Sequence, residues 1–194
     1  MGYSQAQKAE SRQRVLETAA RQIREDGIAA LGVADCMRSA GLTHGAFYGH
    51  FDSRDALIVE ALEYAVEQSR KRIEALRTGA GGAKAKEPLR AIAETFLSER
   101  HIKNPGSGCA LCALAGEARH ASPEVRDRLT AYVHTLASQI AEALAGHSES
   151  AALGIVATIV GAVTLARAVD DKQLAKSILA ASLELIVAQG GDAE

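Results

Sequence analysis

A run of side chains in the first third of the chain is rich in hydrogen-bonding groups. Thr43, His44, Tyr48 and His50 bring a hydroxyl, two imidazoles and a phenol close together. Groups of this kind contact phosphates and base edges when a protein binds nucleic acid. Spacing pairs no nucleophile with a base here, so this stretch favours recognition of a polar surface over catalysis.

The surrounding pattern predicts the elements that position these groups. Residues 33–40 have the pattern of a short helix, and residues 41–43 form a glycine-containing turn. The Thr43 hydroxyl is expected to cap a second short helix. On that helix Phe47 and Phe51 fall four residues apart and share a buried face, which leaves the polar groups outside. Two helices joined by such a turn form the layout of a helix-turn-helix DNA-binding motif.

A closer resemblance lies in residues 40–57, which read A-G-L-T-H-G-A-F-Y-G-H-F-D-S-R-D-A-L. This run resembles the signature of the tetracycline-repressor (TetR) family of bacterial transcriptional regulators. The likeness covers residues 11–62 at motif level, and the remainder is similar in helical layout only. Leu31-Gly32 stands where the family usually has a capping Thr or Ser, and Ala34 stands where Arg is common. The chain therefore lacks two side chains that contact phosphates in the family.

The motif assigns roles along the predicted recognition helix. His44 and Gly45 lie at the N-terminal end, which enters the major groove, so His44 is expected at a base edge and Gly45 allows close approach. Thr43, Tyr48 and His50 are expected at phosphates or sugars, with helix packing as the alternative for the last two. Arg54 and Arg38 are further candidates for DNA contact. The predicted DNA-binding residues are Arg38, Thr43, His44, Gly45, Tyr48, His50 and Arg54.

The composition predicts an all-α protein. Apolar residues make up 47% of the chain but aromatic residues only 4%, and the apolar fraction is mostly Ala, Leu, Ile and Val. The formal net charge of −2 argues against a protein that coats nucleic acid without sequence preference. Positive charge is concentrated around the first helix, where it suits either phosphate contact or a solvated face. The residues that carry it are Lys8, Arg12, Arg14, Arg21 and Arg24, against Glu10 and Glu17.

Capping residues and apolar periodicity predict about nine helices. The first three form a DNA-binding head over residues 1–52, and residues 53–194 form an effector-binding and dimerisation body, with the fourth helix connecting the two. Arg70, Lys71 and Arg72 are expected near the end of that fourth helix, where they complement its dipole. The predicted bounds are 6–26, 33–40, a short helix after Thr43, 53–77, a helix from Pro88 that breaks at 104–108, 108–120, 122–145, 149–169 and 171–189, with a flexible loop over 78–86.

The last two predicted helices are exceptionally apolar. Residues 150–166 contain no charge, but the segment is short for a membrane span and no basic cluster flanks it, so a buried helix is expected and no membrane partner. Two such helices need more cover than one chain offers, and a symmetric four-helix interface with a second copy supplies it. A monomer with a large core is the alternative. The predicted interface residues are Ile155, Ile159, Leu174, Ile178, Ala181 and Leu185.

The middle helices are expected to enclose a cavity for an apolar small-molecule effector of unknown identity. The resemblance implies that binding there swings the fourth helix, changes the spacing of the two heads and releases DNA, so ligand and DNA affinities are linked. Core packing is the alternative role for most of the candidates. The predicted lining is Phe96, Leu97, His101, Leu111, Leu114, Tyr132 and Val163.

A pair of thiols, Cys109 and Cys112, falls within one predicted helical turn. A thiol at a helix N-terminus has a lowered pKa and a more reactive thiolate, and the run G-C-A-L-C-A-L-A-G resembles a stretch found in TetR-family members, some of which sense oxidants or electrophiles there. The alternatives are two buried packing residues or a zinc site completed by His101 or His120. Cys36 is expected in the core.

These observations predict a sequence-specific transcriptional regulator that is not an enzyme. The most favoured form is a homodimeric repressor, released from a palindromic double-stranded DNA operator by a small apolar ligand or by modification of Cys109. A transcriptional activator of the same fold and a C-x-x-C thiol-disulfide redox protein are the alternatives. No cofactor and no metal are expected. Three cysteines do not make a disulfide framework and no signal peptide is recognisable, so a cytoplasmic location is expected.

Overall fold

The computed structural model describes residues 5–79, 87–144 and 148–191. All regular structure in these ranges is helical, which confirms the all-α prediction. Three 3₁₀ segments, His44–Gly49, Pro105–Ser107 and Ala118–His120, lie between α-helices. The α-helices in the described ranges are α1 Gln5–Asp26, α2 Val33–Ser39, α3 Arg54–Thr78, α4 Pro88–Phe96, α5 Glu99–Lys103, α6 Ala110–Leu114, α7 Pro123–Ala141, α8 Glu149–Ala168 and α9 Lys172–Gly191.

Glycines shape the two turns of the head. Gly27 ends α1 with a φ of 90°, and its N–H donates to the Ile23 carbonyl at 3.1 Å. Gly41, with a φ of 74°, follows α2, and the next N–H, that of Leu42, donates back to the Met37 carbonyl at 2.9 Å. Both turns need a left-handed residue, which glycine adopts at little cost. The predicted turn between the two helices of the motif is therefore present.

Serine hydroxyls start the long helices of the body. Ser53 accepts a hydrogen bond from the Ala56 N–H at 3.0 Å, and Ser122 accepts one at the start of α7. These caps satisfy N–H groups that have no partner within a first helical turn. The predicted starts of α3 and α7 are confirmed. Arg70, Lys71 and Arg72 lie before the last turn of α3, however, and Arg77 is the basic residue in that turn.

The helices predicted from Pro88 and over residues 108–120 are both shorter than expected. The helix that starts at Pro88 stops at Phe96, because the Ser98 hydroxyl accepts from the His101 N–H at 3.2 Å and starts the separate helix α5. The predicted helix over residues 108–120 is reduced to α6, which is followed by a turn at Gly116 and a 3₁₀ segment. The predicted loop over residues 78–86 falls mostly outside the described residues; only Thr78, in α3, and Gly79, its cap, lie inside.

The core runs through head and body without a break. In the body α7 packs on α3 and α8, and α9 packs on α8 and α4, while α1 packs along the head end of α3. In the part of the chain that the structure describes, α8 is the one helix long and apolar enough to cross a membrane. Its residues Ile155, Ile159 and Val163 are fully buried against neighbouring helices, as in a core helix.

Candidate functional site

The recognition segment, residues 44–49, is a single 3₁₀ stretch and not the α-helix that the sequence predicts. Thr43 precedes it in an extended conformation, and its carbonyl, not its hydroxyl, accepts from the Ala46 N–H at 3.1 Å. The predicted hydroxyl cap is therefore wrong. Gly45 and Gly49 disfavour an α-helix, and a segment this short commonly adopts the i→i+3 hydrogen bonds of a 3₁₀ helix instead.

The recognition segment has a buried side and an open side. Phe47 and Phe51 are both buried, with ring centroids 5.8 Å apart, so the predicted apolar face is present. Tyr48 is 74% exposed and its ring meets Phe47 edge-on at 5.2 Å. His44 is also exposed. The open side thus presents a phenol and an imidazole without any hydrogen bond from the described part of the protein.

His50 lies at the end of the recognition segment and is half-buried. Its Nδ1 is buried and has no hydrogen-bond partner among the described residues. Burial lowers the pKa of His50, and the charges of Lys8 and Arg12 lower it further. The imidazole is therefore neutral at neutral pH. It combines a packing role with a free ring nitrogen.

Most arginines of the head are held within the protein. Arg54 donates to the carbonyls of Leu31, Ile28 and Ala29 at 2.9, 2.5 and 3.2 Å. Arg12 pairs with Glu60 and stacks on the Phe51 ring, and Arg38 pairs with Asp35. Contact of Arg54 and Arg38 with DNA stays a prediction, and the structure gives each a structural partner. Of the five cations predicted near the first helix, Arg14 and Arg21 pair with Glu10 and Glu25, and Arg24 is buried.

Two further hydrogen bonds connect α1 and the turn after it to the segment around α6. Arg24 of α1 donates from Nη1 to the Gly108 carbonyl at 3.1 Å. In the opposite direction, the Ile28 N–H donates to the Glu117 carboxylate at 3.0 Å. Gly108 and Glu117 lie on either side of α6. The short helix that carries the thiol pair is thus anchored to the head at both of its ends.

A cavity of about 330 Å³ lies beside α3 in the body. Phe96 and His101, two of the residues that the sequence analysis placed at an effector cavity, line it, and Cys109 lines it too. The other predicted lining residues, Leu97, Leu111, Leu114, Tyr132 and Val163, are buried elsewhere in the core. Sequence reasoning missed the wall contributed by α3 and the polar opening, which include Ser69, Arg72, Ile73, Leu76 and Arg100.

Cys109 joins a hydrogen-bonded chain that reaches α3. It occupies the N-cap of α6, and its Sγ lies 3.2 Å from the Tyr132 hydroxyl, which donates to the Ser69 hydroxyl at 2.7 Å. Burial disfavours the Cys109 thiolate, but hydrogen bonds from Cys112 and two backbone N–H groups, with the Tyr132 hydroxyl beside the sulfur, outweigh it and lower the pKa to about 7. The same pairing and burial raise the pKa of Cys112 well above its usual value.

His101 connects the pieces of backbone around the cavity. Its Nδ1 lies 2.6 Å from the Phe96 carbonyl, and its Nε2 accepts from the Cys109 N–H at 2.9 Å. Burial lowers the pKa of His101 to about 4, and the charges of Arg167 and Arg72 contribute to the lowering. Because both ring nitrogens are engaged, His101 has none left for a metal. Within the described residues no group of three or more potential metal ligands occurs.

The last two helices leave apolar side chains in water. Of the large apolar residues exposed in the described ranges, all except Tyr48 lie on α8 and α9, at 40–55% exposure. Leu174, Ala181 and Leu185 of the predicted interface are exposed and Ile178 is half-buried. Ile155 and Ile159 are fully buried within the protomer, so the exposed face of α8 runs through other residues. The exposed leucines are Leu153, Leu165, Leu174 and Leu185.

Comparison with known proteins assigns the chain to a family. Residues 15–61 match the model of the bacterial regulatory proteins of the tetR family, and residues 85–182 match that of the tetracyclin repressor-like C-terminal domain. The chain belongs to the TetR family. It is therefore a DNA-binding transcriptional regulator with a helix-turn-helix head, in a family whose members are typically not enzymes.

Relatives and solved structures agree with this family assignment. YerO, an uncharacterized HTH-type transcriptional regulator of Bacillus subtilis, is 31% identical over 81 residues, which cover 42% of this chain and span 28% of that protein's length. A TetR-family regulator from Streptomyces coelicolor is 26% identical with a TM-score of 0.72, covering 99% of this chain and 98% of its own. The reduced form of E. coli NemR shares the fold, with 20% identity, a TM-score of 0.76 and coverage of 91% and 94%.

Proposed function

We propose that this TetR-family regulator is a homodimeric repressor that works in the cytoplasm on a palindromic operator. A small molecule in the α3 cavity, or modification of Cys109, releases it from DNA. The observation that carries the proposal is the recognition segment, which exposes His44 and Tyr48 on the outside of a packed helix-turn-helix head. Such a layout separates the groups that hold the fold from those that are free for DNA.

The exposed groups suit the two kinds of contact that DNA recognition needs. His44 stands at the N-terminal end of the recognition segment, where an imidazole can donate to or accept from a base edge in the major groove. Tyr48 and Thr43 carry hydroxyls that suit phosphate oxygens, and Gly45 keeps the backbone close to the groove. Few cations of the head are unpaired, so we expect base and hydroxyl contacts to matter more than charge.

The exposed apolar face of α8 and α9 supports the homodimer. Four leucines at 40–55% exposure on two adjacent helices form a surface that favours burial, and each fully buried leucine contributes about 1.5–3 kcal/mol. A second copy supplies the same surface, which makes a four-helix interface. Two heads on one twofold axis then match the half-sites of a palindromic operator.

Two features support release from DNA through the body. The cavity wall includes Ser69 and Arg72 of α3, the helix that begins at the head. The chain from Cys109 through Tyr132 to Ser69 gives a change at the thiol the same route to α3. Because both routes act on α3, ligand binding or thiol modification lowers DNA affinity by a coupling free energy.

The experiment that tests this function is selection of bound duplexes from a random DNA library by the purified, reduced protein. We expect a palindromic consensus with half-sites about one helical turn apart or a few base pairs more. Sequence-blind binding that weakens steeply with salt, or no binding, would contradict an operator-specific repressor. A consensus without twofold symmetry would contradict the homodimer and leave sequence recognition intact.

A further inference from the structure

Many arginines on the outer faces of the described helices have a carboxylate partner. Arg70 pairs with Glu67 at 2.7 Å, Arg77 with Glu74 at 2.8 Å and Arg90 with Glu87 at 2.6 Å. These pairs are local, three residues apart on one helix. A paired guanidinium leaves little charge for another anion.

The arginines at the cavity depart from this pattern. Within the described residues neither Arg72 nor Arg100 forms an ion pair, and Arg72 makes only a 3.2 Å hydrogen bond to the Ser107 carbonyl. The residue two positions before Arg72 and the residue three positions after Arg100 are both paired with carboxylates. Arg119 and Arg126 also lack an ion pair among the described residues, but Arg72 and Arg100 are the two that line this cavity, where no carboxylate neutralises them.

The electrostatic environment behind the two arginines is also positive. Arg24 and Arg167 lie nearby with their guanidiniums bonded to backbone carbonyls, and neither has a carboxylate partner among the described residues. Burial lowers the pKa of Arg24, and the charge of Arg72 lowers it further. No Asp or Glu is among the described residues that line the cavity. A cavity with such walls attracts an anion.

The inner part of the cavity is apolar. Ile73 and Leu76 from α3 and Phe96 from α4 form its apolar walls, and the Phe96 ring meets the His101 ring edge-on at 5.7 Å. Arg72 and Arg100 are exposed, so they stand where the cavity opens to water. A volume of about 330 Å³ is at the small end of ligand pockets, which span about 300–1,000 Å³.

We propose that this cavity binds a small organic monocarboxylate, with its apolar body against Ile73, Leu76 and Phe96 and its carboxylate between Arg72 and Arg100. Such a ligand is amphipathic and anionic, whereas the sequence analysis predicts an apolar effector, and the proposal rests on the proposed function in taking the cavity as the effector site. A planar guanidinium pairs with a carboxylate through two parallel hydrogen bonds. The carboxylate bridges Arg72 of α3 and Arg100 of α5, so the ligand contacts the helix that leads to the head directly.

The test is calorimetric titration of the purified, DNA-free protein with matched acids and amides. The probes are benzoate and hexanoate, their uncharged counterparts benzamide and hexanamide, and acetate, which has the charge but almost no apolar body. We expect benzoate or hexanoate to bind at least about tenfold more tightly than its amide, because a charge-assisted pair is roughly twice as strong as a neutral hydrogen bond. Acetate should bind more weakly than either.

Matched variants separate the cavity from general charge effects. Arg72→Gln and Arg100→Gln should each weaken carboxylate binding about tenfold or more. Arg70→Gln and Lys103→Gln remove a positive charge from the same two helices at paired positions outside the cavity, and should leave binding unchanged. Helical circular dichroism checks that each variant is folded.

The outcomes distinguish the anion site from effector control. Absence of binding by both acids at millimolar concentration, equal binding of acids and amides, or equal losses in Arg70→Gln and Arg72→Gln would each overturn the anion site. Carboxylate binding that follows the expected pattern but leaves operator affinity unchanged supports the site and overturns release by this ligand. Operator binding itself is measured separately, so its failure is not confused with either result.

Discussion

The head and the cavity use their cations in opposite ways. In the head Arg12, Arg38 and Arg54 are engaged with carboxylates or backbone carbonyls, and the recognition segment contains no lysine or arginine. At the cavity Arg72 and Arg100 have no carboxylate partner in the described ranges. The surface that meets a polyanion thus shows few free charges, whereas the cavity wall in the body shows two.

This difference separates affinity from specificity. Free cations on a DNA-binding surface add sequence-independent affinity, which grows with each neutralised phosphate. When the arginines of a head are bonded within the protein, DNA binding relies more on base-edge contacts and on the two heads of a dimer. Such a head suits sequence-selective binding. Unpaired cations at the opening of an apolar cavity suit a small anion, because the apolar walls supply the remaining binding energy. Three predictions test this separation of roles.

The largest effect is expected from breaking the dimer. Leu185→Arg places a charge on the exposed apolar face of α9. Sedimentation should show a monomer, and operator affinity should fall by about 10²–10⁴, because the second head no longer binds at high effective concentration. Benzoate affinity should stay unchanged, since the cavity lies within one protomer. Ala131→Arg, on the exposed side of α7, is the control, and a dimer of normal size in Leu185→Arg would move the interface elsewhere.

A smaller loss of operator affinity is expected from substitutions in the recognition segment. His44→Ala combined with Tyr48→Ala should lower operator affinity about 100-fold, because a lost specific contact costs about 1–3 kcal/mol. Filter binding or fluorescence anisotropy measures this loss, and carboxylate affinity should not change. His134→Ala, an exposed histidine on α7, is the matched control. Operator affinity equal to that of the unmodified protein would show that these side chains do not read DNA.

The smallest loss of operator affinity is expected from modification of the Cys109 thiol. The Cys109 thiolate should add to the double bond of N-ethylmaleimide, forming a carbon–sulfur bond while the neighbouring carbon takes a proton from water. Its rate should rise with pH through a midpoint near 7, because the lowered pKa makes the thiolate the main form above that pH and the thiol below it. The adduct should weaken operator binding about tenfold, within the usual range of allosteric coupling.

Serine variants control the thiol experiment. Cys109→Ser should abolish both the reaction and the release from DNA. Cys36→Ser should change neither, because burial raises the pKa of Cys36 to about 11 and keeps it unreactive. Release that persists in Cys109→Ser, or a rate midpoint near the ordinary thiol pKa, would contradict a sensing role for Cys109.

The parts of the fold that depend on local chemistry could be predicted from the sequence. Gly27, Gly41, Ser53 and Ser122 act as the terminators and caps that their types indicate. The break at Ser98 could not, because a serine after an apolar helical run looks the same whether the helix continues or restarts. Only the packed structure decides that its hydroxyl accepts from the His101 N–H.

The candidate site was predicted less completely. The recognition segment could be found because its groups are contiguous, although its 3₁₀ form depends on two glycines whose effect is weak in isolation. The cavity brings together Arg72 and Arg100 from separate helices, and Arg72 appeared from sequence to be a cation near the end of its helix. Pairing or its absence becomes visible only when both side chains and their neighbours are placed in space.

The bonds of Arg54 have a mechanical consequence. Arg72 and Arg54 are separated along α3 by about 27 Å, from a rise of about 1.5 Å per residue, so a tilt of about 5° at the cavity displaces the far end by about 2 Å. That end is not loose, because Arg54 holds carbonyls of Ile28 and Leu31. Because α3 is bonded to the head at this end, a small rotation at the cavity would move the head by a distance close to the length of a hydrogen bond.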